Sequence, residues 1–530
     1  MSSVPRARHP SAIDPATRHA SAADDGAHAA SARRSANLVL ATASAICALI
    51  ILDTNVVAVS LPSIARTFHA SFAEVEWVVS AYMVTFASCL LAAGGLADRI
   101  GRKRMLLIGL GVFALASLGC GLAPTVLWLN IARAVKGLGA AMEITSALAI
   151  IGHTFREEKE RARAWALWGM AMGIATTVAP LVGGAITQFV GWRWIFLMNL
   201  PICATLAWCA SRVIGESKNH DAASIDKVGS VLFGLALACG IWTLIEAGSQ
   251  GWTSASTLAR AAASVLLLAT FVAVERRIGH AMVDLSLFKG RRFVGAVLAM
   301  YGYAACAQVM MTFLPLYLQN AFGLPAVAAG FGMLPFALAM VVGPFIGAAV
   351  LRHYSMEWAL VVGLVLIGAG NVFTGIVAQA GSYAWVSLGM LVSGCGAGIM
   401  NGNTQKAIVA LVAPARVGMA SGISTTTRFT AIVMSVGVLG GVLAARTKDA
   451  FVTHVPAHSP LAGVVDGTFV SRVLAGDAAQ AVSTAPQNLH AVLTALARSS
   501  FASGFSEAMY VAGAVALLLS VTVWGLAIRK

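Results

Sequence analysis

Apolar runs long enough to cross a bilayer, roughly 20 residues each, recur along almost the whole chain from Asn37 onward. A water-soluble chain could not cover its surface with these proportions: of 530 residues, 58% are hydrophobic and 11% charged. In lipid every backbone polar group must be satisfied within the chain, and runs of this length do that as helices. The expected fold class is an all-α polytopic membrane protein. The runs mark fourteen spans, about 38–61, 75–96, 105–124, 127–151, 164–188, 194–213, 228–247, 257–275, 293–318, 327–351, 358–378, 384–412, 417–444 and 507–528.

The formal charge of +14 would suggest nucleic acid as a partner of a soluble chain. Here position matters more than sum, because basic residues mark the cytoplasmic side of a membrane protein. They cluster in alternate connections: Arg99, Arg102, Lys103 and Arg104, then Arg156, Lys159, Arg161 and Arg163, then Arg276, Arg277, Lys289, Arg291 and Arg292. Arg33 and Arg34 hold the N-terminus on that side, and Arg529 and Lys530 the C-terminus, which requires an even number of spans. The expected setting is the bilayer of a bacterial inner membrane, with no nucleic-acid partner. Residues 1–36 lack periodicity and are expected to be a disordered cytoplasmic tail. Residues 445–506 are expected to form a long polar loop on the other side.

Several classes of chemistry have no residues to carry them. All eight cysteines fall in expected spans without metal-ligand spacing, so no metal is expected. No GxxxxGK[ST] loop for ATP phosphates is present, and no serine–histidine–acid set lies in an accessible segment. Neither an enzyme nor a cofactor is expected.

An internal repeat organises the spans. GMAMGIATT at 169–177 returns as GMASGISTT at 418–426, and GGLADRIGRKRMLLIG from Gly94 has a fainter echo in GAAVLRHYSMEWALVVG from Gly347. Offsets of about 250 residues pair span five with span thirteen and span two with span ten. That arrangement needs a six-span half over 37–213, two inserted helices within 214–290 and a second half over 291–530. Two such bundles meeting at a central cavity are a recurring transporter plan.

Charged residues inside apolar spans point to function. Asp53 sits in LIILDTNVVAVSLP. A carboxylate there either exchanges protons against cargo or bonds neighbouring helices. Glu143 lies seven residues beyond Lys136 on one face of span four. It is either a structural charge pair with Lys136 or a second proton or substrate site. Arg133 either tunes an approaching carboxylate or bonds a helix, and Arg428, in span thirteen, suits a helix end or an acid as partner. Asn55, Tyr82, Tyr301, Gln308, Asn401, Gln405 and Arg428 are candidates to line the cavity.

Four stretches taken together resemble the major facilitator superfamily, and within it the fourteen-span drug:proton antiporters. They are LDTNVVAVSLPSI at 52–64, GGLADRIGRKR at 94–104, RAVKGLGAA at 133–141, and GIATTVAPLVGG at 173–184 followed by GWRWIFLMNLP. The chain departs from the pattern at Lys136, where glutamine is usual, and at Ala179, where glycine is usual. The resemblance implies that Arg133 serves proton coupling. It implies a cytoplasmic gate at Gly94, Gly95, Asp98, Arg99, Gly101, Arg102 and Lys103, with Asp98 reaching arginines or a helix end of the opposite half. It also implies an antiporter motif at Gly169, Gly173, Pro180, Gly183 and Gly184, glycines that let span five bend and pack closely. The function expected is export of lipophilic, cationic compounds in exchange for protons. An exporter of a metabolite or organic anion, and a transporter-like sensor, are the alternatives. The partners expected are a small-molecule substrate, protons and lipid. A periplasmic adaptor, used by some relatives, has no visible signature.

Overall fold

The computed structural model describes residues 15–155, 157–218, 226–278, 283–308, 310–413, 416–455, 461 and 463–529. Among them, fourteen helices are long and apolar enough to cross a membrane. Helix α1 (Pro15–Phe68) contains the first span, Arg33–Phe68. It starts well before the expected span, so the tail is helical from Pro15 on. The alanine-rich run ASAADDGAHAASARR explains this, because alanine is the strongest helix former. Residues 1–14 of the expected tail lie outside the described residues.

Helix α2 (Phe72–Ile100) begins at a capping box. The Ser71 side chain accepts from the Glu74 amide, and the Glu74 carboxylate accepts from the Ser71 amide at 2.8 Å. Helices α3 (Arg102–Gly121), α4 (Val126–Thr154), α5 (Glu158–Phe189) and α6 (Trp194–Val213) complete the first six. The next two are α7 (Lys227–Gln250) and α8 (Ala255–Glu275). The last six are α9 (Arg291–Asn320), α10 (Ala326–Ala349), α11 (Met356–Ala380), α12 (Tyr383–Ala410), α13 (Val417–His454) and α14 (His490–Ala527). The two copies of the repeat lie in α5 and α13, the fifth helix of each set of six.

Glycine sets the closest approaches. A Cβ on Gly183 of α5 would stand 2.9 Å from the Val56 carbonyl of α1, and one on Gly184 would stand 2.5 Å from the Ala326 carbonyl of α10. Gly330 of α10 likewise presses on the Pro180 carbonyl. Two hydrogen bonds join the halves nearby, Gln319 Nε2 to the Val59 carbonyl at 3.0 Å and the Val327 amide to Gln188 Oε1 at 3.1 Å. Near mid-depth the Phe86 and Phe429 rings meet edge to face at 4.3 Å. All these contacts between the halves lie at mid-depth or toward the end of the bundle remote from the termini. Nearer the termini, Gly169 faces open space and Gly173 has only Val341 Cγ2 at 3.9 Å from a built Cβ. Close packing, expected of all four α5 glycines, is made by Gly183 and Gly184 alone.

Helix α7 packs across both α2 and α13: Gly234 lies against Ser88, and Gly437 against Leu244. Helix α8 lies on α7, with Ser264 Oγ donating to the Ala236 carbonyl at 2.8 Å. The inserted pair thus covers one side of the junction between α2 and α13.

The expected polar loop 445–506 is largely helical. Helix α13 runs on to His454 and α14 starts at His490, and between them lie short helices Gly467–Ala475 and Ala478–Ser483. The first buries Phe469, Val470, Val473 and Leu474 and is capped by Asp466, which accepts from the Phe469 amide at 2.7 Å. Gly476, at φ +93°, ends it against Pro62 of α1. The apolar stripe within this polar segment supplies the burial that orders it. Residues 456–460 and 462 lie outside the described residues.

The contrast within α5 yields a prediction. Gly184→Val should overpack the junction, at about 1–3 kcal/mol, and lower the unfolding temperature of the purified protein. Gly169→Val should stay within about 0.5 kcal/mol of the parent. Thermal scans of both variants in detergent measure the difference, and equal behaviour would refute the contact pattern.

Candidate functional site

The polar centre of the first six helices is built on Asp53, which is 1% exposed. Its Oδ2 accepts from Arg133 Nη1 at 3.0 Å, and its Oδ1 accepts from Lys136 Nζ and from Asn199 Nδ2, the latter at 3.0 Å. Arg133 and Lys136 stand three residues apart on α4, so one helical face presents both cations to α1. Arg133 Nε also donates to the Val78 carbonyl of α2 at 2.8 Å, and its guanidinium stacks 4.3 Å from the Tyr82 ring centre. Lys136 Nζ lies 4.5 Å from the centre of Phe113 on α3 and 5.0 Å from that of Phe196 on α6. Asp53, Arg133, Lys136 and Asn199 are all buried. One acid faces two cations in a dry core, an unequal balance that makes the pairing sensitive to any change at the acid.

Glu143 does not pair with Lys136. Their seven-residue spacing puts them on one face, but Lys136 spends its charge on Asp53, and the long-range pair wins over the local one. Both Glu143 carboxyl oxygens are buried without a hydrogen-bond partner, and the side chain lies against Gly109 of α3. Tyr82, expected to line a cavity, is wholly buried beneath Arg133 and belongs to the Asp53 cluster.

In the loop after α2, Asp98 pairs with Arg102 of its own half at 2.8 Å, an i,i+4 contact. Glu216, from the chain after α6, caps α3 by accepting from the Lys103 and Arg104 amides at 3.1 and 3.2 Å. Lys103 Nζ donates to the Ser211 carbonyl at 2.7 Å. Gly101 has φ +117°, a conformation that favours glycine, and a Cβ there would strike the Glu216 carboxylate. Gly94 is not a close-packing position, since its nearest neighbour, Thr145, would lie 3.9 Å from a Cβ. Gly95 is partly buried and Arg99 exposed.

In the second set of helices, α9 is interrupted by a π-turn over Ala304–Gln308. Asn371 Nδ2 donates to the Cys306 carbonyl at 2.8 Å, and Ser435 Oγ to the Ala305 carbonyl at 2.5 Å, so side chains of α11 and α13 satisfy the widened turn. Gln308, at its end, accepts from Arg428 Nε at 2.7 Å. Arg428 therefore has a glutamine for a partner, not the acid or helix end expected. Tyr301 is partly buried one turn before the π-turn. Asn401 and Gln405 flank a break in α12 at Gly402, φ +81°, near the terminal end of the bundle. Asn55 donates to the Ile51 carbonyl of its own helix at 2.9 Å.

The profile of the Major Facilitator Superfamily matches residues 43–437. The chain belongs to this superfamily. It is 34% identical over 415 residues to the Multidrug resistance protein Stp of Mycobacterium tuberculosis, covering 78% of this chain and 76% of Stp. It is 30% identical over 474 residues to the Tetracenomycin C resistance and export protein of Streptomyces glaucescens, covering 89% and 88% of the two chains. Among solved structures, it is similar in fold to a bacterial homologue of the human lysosomal transporter Spinster in an inward-facing, occupied conformation. That match has TM-score 0.61 and 17% identity, with 93% of this chain and 97% of the other covered. As a major facilitator protein the chain is a transporter, and its fourteen spans and paired halves are those of that fold.

Two participants, Asn199 and Glu76, escaped the sequence reading. Asn199 is an amide inside an apolar run, in the quoted MNLP. Lys136, expected as a partner of Glu143, is bonded to Asp53 instead. Glu76 is buried in α2 with Oε1 unpartnered.

Breaking one partner of a buried ion pair costs about 3–5 kcal/mol. Lys136→Met should therefore destabilise the protein strongly, and Asp53→Asn added to it should cost much less than it does alone. Chemical unfolding of the four proteins of this double-mutant cycle measures the coupling. Additive effects would mean that the two side chains do not depend on each other.

Proposed function

We propose that this transporter exports lipophilic compounds in exchange for protons across a bacterial inner membrane, with both termini in the cytoplasm. The observation that carries the reading is the Asp53 carboxylate shared between Arg133 and Lys136, with the unpartnered Glu143 two turns along the same helix. A proton arriving on Asp53 removes the charge that holds both cations, so the helices α1, α2, α4 and α6 lose their common anchor together. Glu143, on the Lys136 face of α4, is the second group able to take up or release a proton in that core. Similarity to proteins named for multidrug resistance and for tetracenomycin C export supports drug-like cargo.

The conformation fits an alternating-access cycle. The halves meet most closely at mid-depth and beyond, while nearer the termini Gly169 faces open space and Gly173 meets only Val341. With the termini cytoplasmic, that is the inward-open state. In it, Asp98 rests on its own Arg102, and Glu216 holds the loop against α3. In the outward-open state, the gate residues Asp98, Arg99, Arg102 and Lys103 would turn to the opposite half and seal the cytoplasmic end.

The test is ethidium movement in reconstituted or inverted vesicles under an imposed pH gradient. The parent protein should move it, and Asp53→Asn should fall to a tenth of that rate or less. Full gradient-driven export by Asp53→Asn would sink the coupling role.

A further inference from the structure

We infer that Arg428 and Gln308 form a recognition site for an acidic group on the cargo, a carboxylate or sulfonate carried by an apolar, aromatic body. The inference deepens the export reading, and rests on it, by naming a class of compound. Charge inside the membrane is retained where it faces the interior of the bundle and has work to do there. Arg133 and Lys136 are wholly buried and already engaged by Asp53. Arg428 differs on both counts. It is only partly buried, and no acid among the described residues lies within ion-pair distance of it.

The geometry is that of a receptor for an anion. Gln308 Oε1 accepts from Nε at 2.7 Å and sets the orientation of the guanidinium. The two terminal nitrogens have no partner among the described residues, which leaves the paired donors that match a carboxylate in a two-bond fork. Gln308 is itself placed by the π-turn, whose carbonyls are tied by Asn371 and Ser435. The donor is therefore held before the ligand arrives, which lowers the entropic cost of binding. Aromatic surface is at hand: the Arg428 guanidinium lies 5.7 Å from the Tyr303 ring centre and 5.9 Å from that of Phe429, which packs on Phe86 of the other half. An acidic aromatic compound at Arg428 would sit at the junction on which the halves rock.

The balance of fixed charge points the same way. Arg428 adds to the interior a cation with no acid within ion-pair distance among the described residues, whereas Arg133 and Lys136 share Asp53 and have Glu143 on the same helix. A cation so placed favours an anionic group beside it.

Binding to the full-length protein in nanodiscs tests this with nalidixic acid, its methyl ester and ethidium as probes, by titration calorimetry at neutral pH. The parent should bind the acid at least tenfold more tightly than the ester. Arg428→Gln should bring the two affinities together by weakening the acid alone, with the ester changed less than twofold, which also reports that the variant is folded. Arg428→Lys, which keeps the charge without the fork, should retain part of the preference. Gln308→Leu, which frees the guanidinium, should weaken the acid several-fold, and these two variants carry the test if Arg428→Gln does not fold. Equal binding of acid and ester by the parent overturns the inference, as does a preference that survives Arg428→Gln. Vesicle flux separates this from the export reading. Acid preference without gradient-driven flux keeps the site and removes the exporter, and ethidium flux without acid preference does the reverse.

Discussion

The arrangement of the first six helices depends on one buried carboxylate. Asp53 takes hydrogen bonds from Arg133, Lys136 and Asn199, and through them α1 is tied to α4 and α6, while Arg133 reaches on to the α2 backbone. A neutral side chain at that point would leave two cations in a core with no other acid bonded to them. The two aromatic faces under Lys136 and the Tyr82 ring under Arg133 soften their desolvation but do not replace the countercharge. The core is thus most stable with that one residue ionised.

The two halves use polar residues differently. In the first, Asp53, Arg133 and Lys136 are sealed and bonded to one another, while Glu143 is sealed with both carboxyl oxygens unpartnered among the described residues. In the second, the widened turn of α9 holds Gln308, Gln308 holds Arg428, and the guanidinium keeps donors without a partner among the described residues. The proposed division between proton sensing and ligand binding rests on this contrast between a closed network and an open one. The junction connects them, since Phe429, the residue next to Arg428, packs on Phe86, one turn from the Tyr82 that lies under Arg133.

The spans were legible because hydropathy over twenty residues is a strong signal, and the paired halves because GMAMGIATT and GMASGISTT recur at matching depth. Asp53 announced itself by being expensive in its surroundings. Its partners did not, because Arg133 and Asn199 come from 80 and 146 residues away and no local pattern encodes that meeting. Local reasoning failed where a distant partner was stronger, so Lys136 was matched with Glu143 on its own helix. At Asp98 a contact four residues away is made, and the reach across the halves is expected of the outward-open state alone. The helical ends within 445–506 were hidden because their apolar stripe is diluted by the polar residues between.

Glu76 shows what the closed end of the junction demands. Its carboxyl lies against Gly440 of α13, with no hydrogen-bond partner for Oε1, and any side chain at Gly440 would collide with it. The rest of that end is joined by glycine contacts and two hydrogen bonds, surfaces that can part without leaving much unsatisfied. Glu76 differs from these, because separating α2 from α13 would carry its carboxyl from a dry environment into an open one. The same movement would leave the Asp53 cluster intact, since all its members belong to the first half. In the proposed rocking cycle the outer junction and the charged core would therefore change their surroundings in different steps, so that protonation at one would not require protonation at the other.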